Sequence, residues 1–158
     1  MTTSTAKPGK YLSFLIKNQL FAVPVESIWE INKIDSISPL PLSEPYIAGA
    51  INLRGKVLAV VDLSVRLQMG KTELSKNSCV IILESKVGRI GAIVDAVCSV
   101  VDLSQNEIEP PPQYDSVDTA LLFSGFAKVS EQMLMILDVA SALSKLSIPT
   151  ETHDAKAS

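Results

Sequence analysis

The chain has 158 residues, 47% of them hydrophobic but only 5% aromatic, and 14 Lys and Arg against 17 Asp and Glu give a formal charge of −3. That length suffices for one domain, or two very small subdomains sharing a core, burying roughly two-thirds of the unfolded surface without metal or disulfide staples. The lack of any basic block argues against a phosphate-backbone partner as the main task, and a core of Val, Ile, Leu and Ala favours β-structure.

The first eight residues, M-T-T-S-T-A-K-P, hold no apolar core of a signal peptide, and no apolar run reaches membrane-spanning length, so a cytoplasmic location without membrane insertion is expected. Residues 1–9 read as a flexible N-terminus, 10–147 as the folded domain with halves meeting near 68–78, and 148–158 as a flexible tail. Cys79 and Cys98 each fall in an apolar, strand-like run, where a buried, reduced thiol is expected. The one histidine, His153, lies in the polar tail. No metal or cofactor is expected.

Tyr11 to Lys17 alternates, with Leu12, Phe14 and Ile16 on one face, as in a half-buried strand. A turn at Asn18-Gln19 leads to Leu20–Val23, and Pro24 disfavours continuing that strand in the centre of a sheet. Val25 to Ile28 fits one helical turn and Trp29 to Ile34 another alternating strand, in which Glu30 reads as a surface carboxylate. Pro39, Pro41 and Pro45 make 36–45 an extended loop.

The segment Tyr46 to Gly70 is the most informative. Two apolar runs, Ile47–Leu53 and Val57–Val61, flank Arg54-Gly55-Lys56 as a hairpin whose turn needs a positive φ at Gly55. Asp62 stands where its carboxylate caps a short helix beginning at Leu63, and Gly70 stops that helix. Residues 71–77 form a polar surface connection. Strands at Cys79–Glu84, Arg89–Val94 and Ala96–Val101 follow, the first two joined at Lys86-Val87-Gly88, and their nearly continuous apolar character predicts burial on both faces. Glu109-Pro110-Pro111-Pro112-Gln113 is a rigid loop packed over a barrel, or else a ligand for a polyproline-binding domain. Leu121–Val129 and Met133–Leu137 form the last hairpin, and Asp138 caps a terminal helix through Leu146 that ends by Pro149.

A shift of 76 lays residues 46–67 on 122–143 without a gap, matching Gly49 to Gly125 and Asp62 to Asp138. The repeated unit is strand, turn, strand, aspartate, short helix, which points to a duplicated small barrel. Arg54-Gly55-Lys56 becomes Ser130-Glu131-Gln132, so the arginine-bearing turn belongs to the first copy alone.

Function follows partly by exclusion. There is no histidine in the folded body, no phosphate loop, no dinucleotide fingerprint and no nucleophile in an activating context. Asp62, Asp95, Asp102 and Asp138 fit helix caps and strand ends better than acid–base pairs. A nucleic-acid-binding barrel would need aromatic platforms beside a basic groove. An interaction adaptor without enzymatic activity fits best.

Taken together, G-A-I-N-L-R-G, the apolar strand after it and D-L-S-V-R-L resemble the core motif of the CheW-like chemotaxis coupling proteins, a bacterial family, and the resemblance runs from about Tyr11 to Leu146. One departure is in the second strand, where the family usually has a proline near the position of Ala59. The resemblance implies a mostly β fold of two five-stranded β-barrel subdomains, an SH3/OB-like duplication around a shared core, with short helices including a C-terminal one. It implies an adaptor coupling the cytoplasmic tips of chemoreceptors to the regulatory domain of a chemotaxis histidine kinase, in arrays at the inner membrane. Glu30 would pair with Arg54 through two parallel hydrogen bonds. The receptor groove would comprise Ile28, Glu30, Ile31 and Arg54 with Val97 and Val100, and Gly49 and Gly55 would constrain the backbone behind it and behind the kinase contact. A non-flagellar pathway such as twitching motility is the alternative output, and a small nucleic-acid-binding barrel the alternative class.

Overall fold

Most strands carry apolar residues on both faces, and the tertiary structure gives each face a core of its own. The computed structural model describes residues 6–34, 36–40, 45–85, 88–110 and 122–143. In chain order they form β1 (Gly9–Ile16), β2 (Gln19–Pro24), a 3-10 turn at Val25–Ser27, β3 (Ile28–Lys33), β4 (Ile47–Leu53), β5 (Lys56–Asp62) and α1 (Leu63–Arg66). Then come β6 (Cys79–Ser85), β7 (Gly88–Val94), β8 (Ala96–Leu103), a 3-10 turn at Gln105–Glu107, β9 (Phe123–Val129), β10 (Gln132–Leu137) and α2 (Val139–Leu143).

The strands make two five-stranded sheets, ordered β8-β1-β2-β10-β9 and β3-β6-β7-β5-β4. The orders are one plan used twice. Each sheet has a leading hairpin, β1-β2 or β6-β7, joined in parallel to a second hairpin, β9-β10 or β4-β5. The strand after each leading hairpin crosses over: β3 pairs with β6, and β8 pairs with β1. Neither sheet is therefore built from one half of the chain.

Beyond each crossed strand, the chain returns to the far end of the same sheet. After β3, Ser38 exchanges two backbone hydrogen bonds of 2.8 Å with Ala50 on β4; after β8, Glu109 does the same with Phe126 on β9, at 2.8 and 2.9 Å. These bridges cover outer strand edges that would otherwise offer unpaired amides.

Alternation then sorts the cores. Ile81 and Leu83 of β6, Ile90, Ala92 and Val94 of β7, Phe21 and Val23 of β2, and Met135 and Leu137 of β10 face one cluster shared by both sheets. Their neighbours Val80, Ile82 and Ile93 enter a core private to the second sheet, and Ala22, Leu134 and Ile136 one private to the first. A strand between two cores needs apolar residues at every position, which is why these runs are continuous.

The 76-residue repeat holds at the level of backbone detail. β4 falls on β9, α1 on α2, and the register slip at Ala48 on the slip at Ser124. Asp62 N–H donates to Tyr46 O as Asp138 N–H does to Leu122 O. Arg54-Gly55 (φ 53°, 85°) and Ser130-Glu131 (φ 51°, 66°) make two-residue turns with both central residues left-handed, the arrangement that suits twisted hairpins. Arg66 on α1 donates from Nε to the carbonyl of Ala142 on α2, 2.9 Å, tying the two copies together.

Several local expectations change. Ile16 pairs with Gln19, so the first turn is Lys17-Asn18 rather than Asn18-Gln19. The helix after Asp62 ends at Leu67 with Gln68 left-handed (φ 62°), two residues before Gly70. Thr72, expected on a surface connection, is buried. β6 and β7 are enclosed on both faces, but β8 is not: it ends its sheet, and of its residues only Leu103 is buried. Burial was expected of both cysteines, but Cys79, the first residue of β6, is half-buried, and Cys98 is exposed where the β8 chain slips register between Val97 and Val100, with the Ser13 hydroxyl donating to Ser99 O at 2.8 Å and accepting from Ser99 N–H at 3.1 Å. The turn residues Lys86 and Val87, prolines 111 and 112, residues 144–146 and Pro149, and the expected flexible ends over 1–5 and 148–158 lie outside the described residues.

Candidate functional site

The motif N-L-R-G at the tip of the β4-β5 hairpin divides its work among its residues. Asn52 Oδ1 accepts the Gly55 N–H at 3.0 Å, closing the turn from the inside. Gly55 takes φ 85°, with open space where a side chain would stand. Arg54, also left-handed, is left free to reach sideways.

It reaches Glu30. A single nitrogen, Nη2, lies 2.7 Å from both Oε1 and Oε2, so the pair is one donor shared by two acceptors and not the two parallel bonds expected from the resemblance. The Arg54 side chain is 62% exposed and that of Glu30 19%, so solvent meets the cation more than the carboxylate. Glu30 is thus more enclosed than the surface carboxylate its sequence context suggested. The pair joins β3 and the β4 end of the same sheet, two strands at opposite ends of the strand order. Its energetic contribution is about 0 to 1 kcal/mol because the cation is well hydrated, and its effect is to fix the hairpin tip against β3.

Sequence reasoning missed the neighbours of this pair. Between Ile28, opposite Leu83, and Glu30, opposite Ile82, β3 carries one extra residue, Trp29. Such a bulge re-aims side chains that simple alternation would put on opposite faces. Trp29 therefore lies within reach of Arg54, whose guanidinium carbon is 5.6 Å from the ring centroid, although Glu30 is the next residue. The guanidinium of Arg89 lies closer, 3.9 Å from the same centroid, and Arg89 Nε is bound to Glu84 Oε2 at 2.9 Å. Arg89 and Glu84 face each other across the β6-β7 ladder. The sequence held one hint, a tryptophan beside the glutamate, but nothing to show which arginine would cover it.

The remaining predicted site residues separate into groups. Ile28 and Val97 are half-buried against the shared core, while Ile31 and Val100 are exposed, at 41% and 55%. The pairs correspond: Ile28 and Ile31 stand opposite Leu83 and Ile81 of β6, and Val97 and Val100 opposite Phe14 and Leu12 of β1. The crossed strands β3 and β8 thus present apolar side chains at two corresponding positions, isoleucines on one and valines on the other, from different sheets. Gly49 lies apart from them. It sits at φ 150°, and a side chain there would run into the carbonyl of Ser38 and the Ile37 side chain, so it permits the bridge that closes the sheet.

The four aspartates have structural partners. Asp62 Oδ1 accepts from Ser64 N–H, and Asp138 Oδ1 from Ser141 N–H, as helix caps. Asp95 holds the first turn through Lys17 N–H at 2.7 Å, and Asp102 pairs with Lys10 at 3.2 Å. Among the described residues no cluster of His, Cys, Asp and Glu has the arrangement of a metal site, and no helix is long and apolar enough to cross a membrane.

This arrangement offers an anchored cation, an aromatic ring and apolar strand positions, all suited to binding a protein surface. The family model described as the CheW-like domain matches residues 10–147. The chain belongs to the CheW-like domain family. It is 30% identical over 154 residues to a chemotaxis protein CheW of Bacillus subtilis, covering 98% of this chain and 99% of that protein. It is 29% identical to one of Rhizobium meliloti, over 91% and 90% of the two chains. The crystal structure of the scaffolding protein TtCheW from Thermoanaerobacter tengcongensis superposes with a TM-score of 0.76 at 37% identity, covering 83% of this chain and 89% of that one. This CheW-like chain is accordingly a non-enzymatic coupling adaptor of chemotaxis signalling, with the mostly β, two-unit fold of its relatives.

Proposed function

We propose that the chain couples the cytoplasmic tips of chemoreceptors to the regulatory domain of a chemotaxis histidine kinase, in arrays on the cytoplasmic side of the inner membrane. The observation carrying this reading is the Arg54–Glu30 pair, which fixes the N-L-R-G turn against β3 beside exposed apolar positions of the crossed strand. The receptor would lay an amphipathic helical hairpin against Ile28, Glu30, Ile31 and Arg54, with Val97 and Val100 contributed by the second crossed strand. Gly49 and Gly55 would hold the backbone of β4 and its turn in the form that surface and the kinase contact need.

An adaptor of this kind transmits signal by holding two partners so that a small receptor movement shifts the kinase between activity states. Weak single contacts suffice, because repetition in an array supplies avidity. The decisive experiment is co-purification of the chain with a receptor cytoplasmic fragment and a chemotaxis histidine kinase. A ternary complex with the wild type, weakened by Glu30→Ala or Arg54→Ala, is the expected result; a folded protein that captures neither partner removes this reading.

A further inference from the structure

Because the two sheets repeat one backbone plan, each is a control for the other. A shift of 69 carries β3 onto β8 and the hairpin β6-β7 onto β1-β2, with Trp29 falling on Cys98, Glu30 on Ser99, Glu84 on Leu15 and Arg89 on Leu20. The shift of 76 puts Arg54 on Ser130. The sister surface thus makes the same bulge and the same hairpins without these aromatic and charged groups, so the fold does not require them.

What they build faces solvent. Arg89, itself held by Glu84, covers the Trp29 ring at 3.9 Å while the residue stays 42% exposed. Arg54 lies 5.6 Å from that ring, and among the described residues only its Nη2 makes a protein hydrogen bond, leaving its other N–H donors for a partner. A half-exposed indole held in one orientation contributes a large contact area at little further entropic cost. A guanidinium with unused donors beside it selects a carboxylate.

We propose that Trp29 and Arg54 anchor one helix of the chemoreceptor tip, which places an aliphatic side chain on the indole and a carboxylate, one helical turn away, on Arg54. Arg89 is the residue that positions the ring. The inference rests on the receptor reading above and names the chemistry of that contact. A helix suits the spacing, since side chains three or four residues apart on its surface stand about 5–6 Å from each other, matching the separation of Arg54 from the Trp29 ring.

Trp29 is the one tryptophan of the chain, so its emission reports the site without a label. The full chain is titrated with a receptor cytoplasmic fragment while co-elution scores the complex independently. Saturation should shift the emission to the blue and reduce acrylamide quenching about twofold. Trp29→Ala should weaken binding of the fragment by about tenfold or more and leave binding of the kinase regulatory domain unchanged. Arg54→Glu should lose a similar factor, recovered when a carboxylate of the fragment is replaced by lysine. Arg89→Met should lower the emission anisotropy of the free protein as the ring loosens, with Arg89→Lys restoring part of it. A complex that forms with unchanged emission, or that Trp29→Ala leaves at wild-type affinity, overturns the anchor and leaves the receptor reading standing. No complex with the wild-type chain removes both.

Discussion

Thr72 supplies two of the three hydrogen bonds received by the buried Asp62 carboxylate: its hydroxyl at 2.6 Å and its N–H at 3.0 Å, beside the helix-capping N–H of Ser64 at 3.1 Å. One side chain therefore starts α1 and also pins the connection that leaves it. Removing Asp62 would strand the Thr72 groups and uncap the helix together, so Asp62→Ala should cost about 2 to 4 kcal/mol, whereas Thr72→Val, which keeps its N–H bond, should cost about 1 to 2 kcal/mol. Urea unfolding followed by circular dichroism ranks the two variants; equal midpoints would show that the hydroxyl carries the whole effect.

The two glycines of the central hairpin should respond differently. Gly49→Ala meets both a left-handed backbone and the Ser38 carbonyl, and should cost about 2 to 4 kcal/mol. Gly55→Ala meets the backbone penalty in open space and should cost about 1 kcal/mol. Thermal melts of both variants, with Gly55→Asn as a left-handed-tolerant control, check the order.

Arg54→Ala and Glu30→Ala should separate binding from folding. With Arg54 largely hydrated, each should move stability by about 1 kcal/mol or less. Each should nonetheless weaken capture of the receptor fragment. Variants that keep full capture and normal kinase control would take the pair out of the interface.

Val97 and Val100 offer the matching test on β8. Val97 leans on the shared core, so Val97→Asp should destabilise by about 3 kcal/mol or more through an unpaired, half-buried carboxylate. Val100 is exposed, and Val100→Asp should stay within about 0.5 kcal/mol of the wild type. Circular dichroism distinguishes loss of fold from loss of groove: a folded Val100→Asp that fails to bind the receptor fragment places β8 in the contact.

Tyr11 sets an alkaline limit. Burial, aided by the charge of Glu26, pushes its phenol above 10.0, and its hydroxyl donates to the Lys7 carbonyl at 2.5 Å. A group whose folded value is raised binds its proton more tightly when folded, so its contribution is complete below pH 10 and is lost as pH rises through the folded value. Urea midpoints between pH 8 and about 11 should therefore fall more steeply for the wild type than for Tyr11→Phe. Parallel slopes would assign the alkaline loss to other groups.

Local features of the site were legible in the chain because they are written within a few residues. Gly55 announces the turn, Asp62 and Asp138 announce their helices, and the 76-residue repeat survives even where its residues differ, since Ser130-Glu131 adopts the turn of Arg54-Gly55 without a glycine. Glu30 facing Arg54 came from resemblance to a family, and the structure brings the two together through one nitrogen. The bulge at Trp29 was not legible, because a register slip belongs to a pair of strands and alternation along one strand is silent about it. Nor was the exposure of Cys98 and Val100, since an apolar strand reads the same whether it is enclosed or ends a sheet.

The sequence by itself determined a β-rich duplicated domain, its hairpins and caps, and the position of the arginine-bearing turn, because alternation, turn residues and helix starts act over short stretches of chain. Tertiary structure decided that β3 and β8 change sheets, that three cores rather than one organise the strands, and that Trp29, Arg89 and Arg54 meet. Those outcomes depend on which strand edges pair over distances of 46 to 94 residues, and pairing of that range leaves no mark on either strand alone.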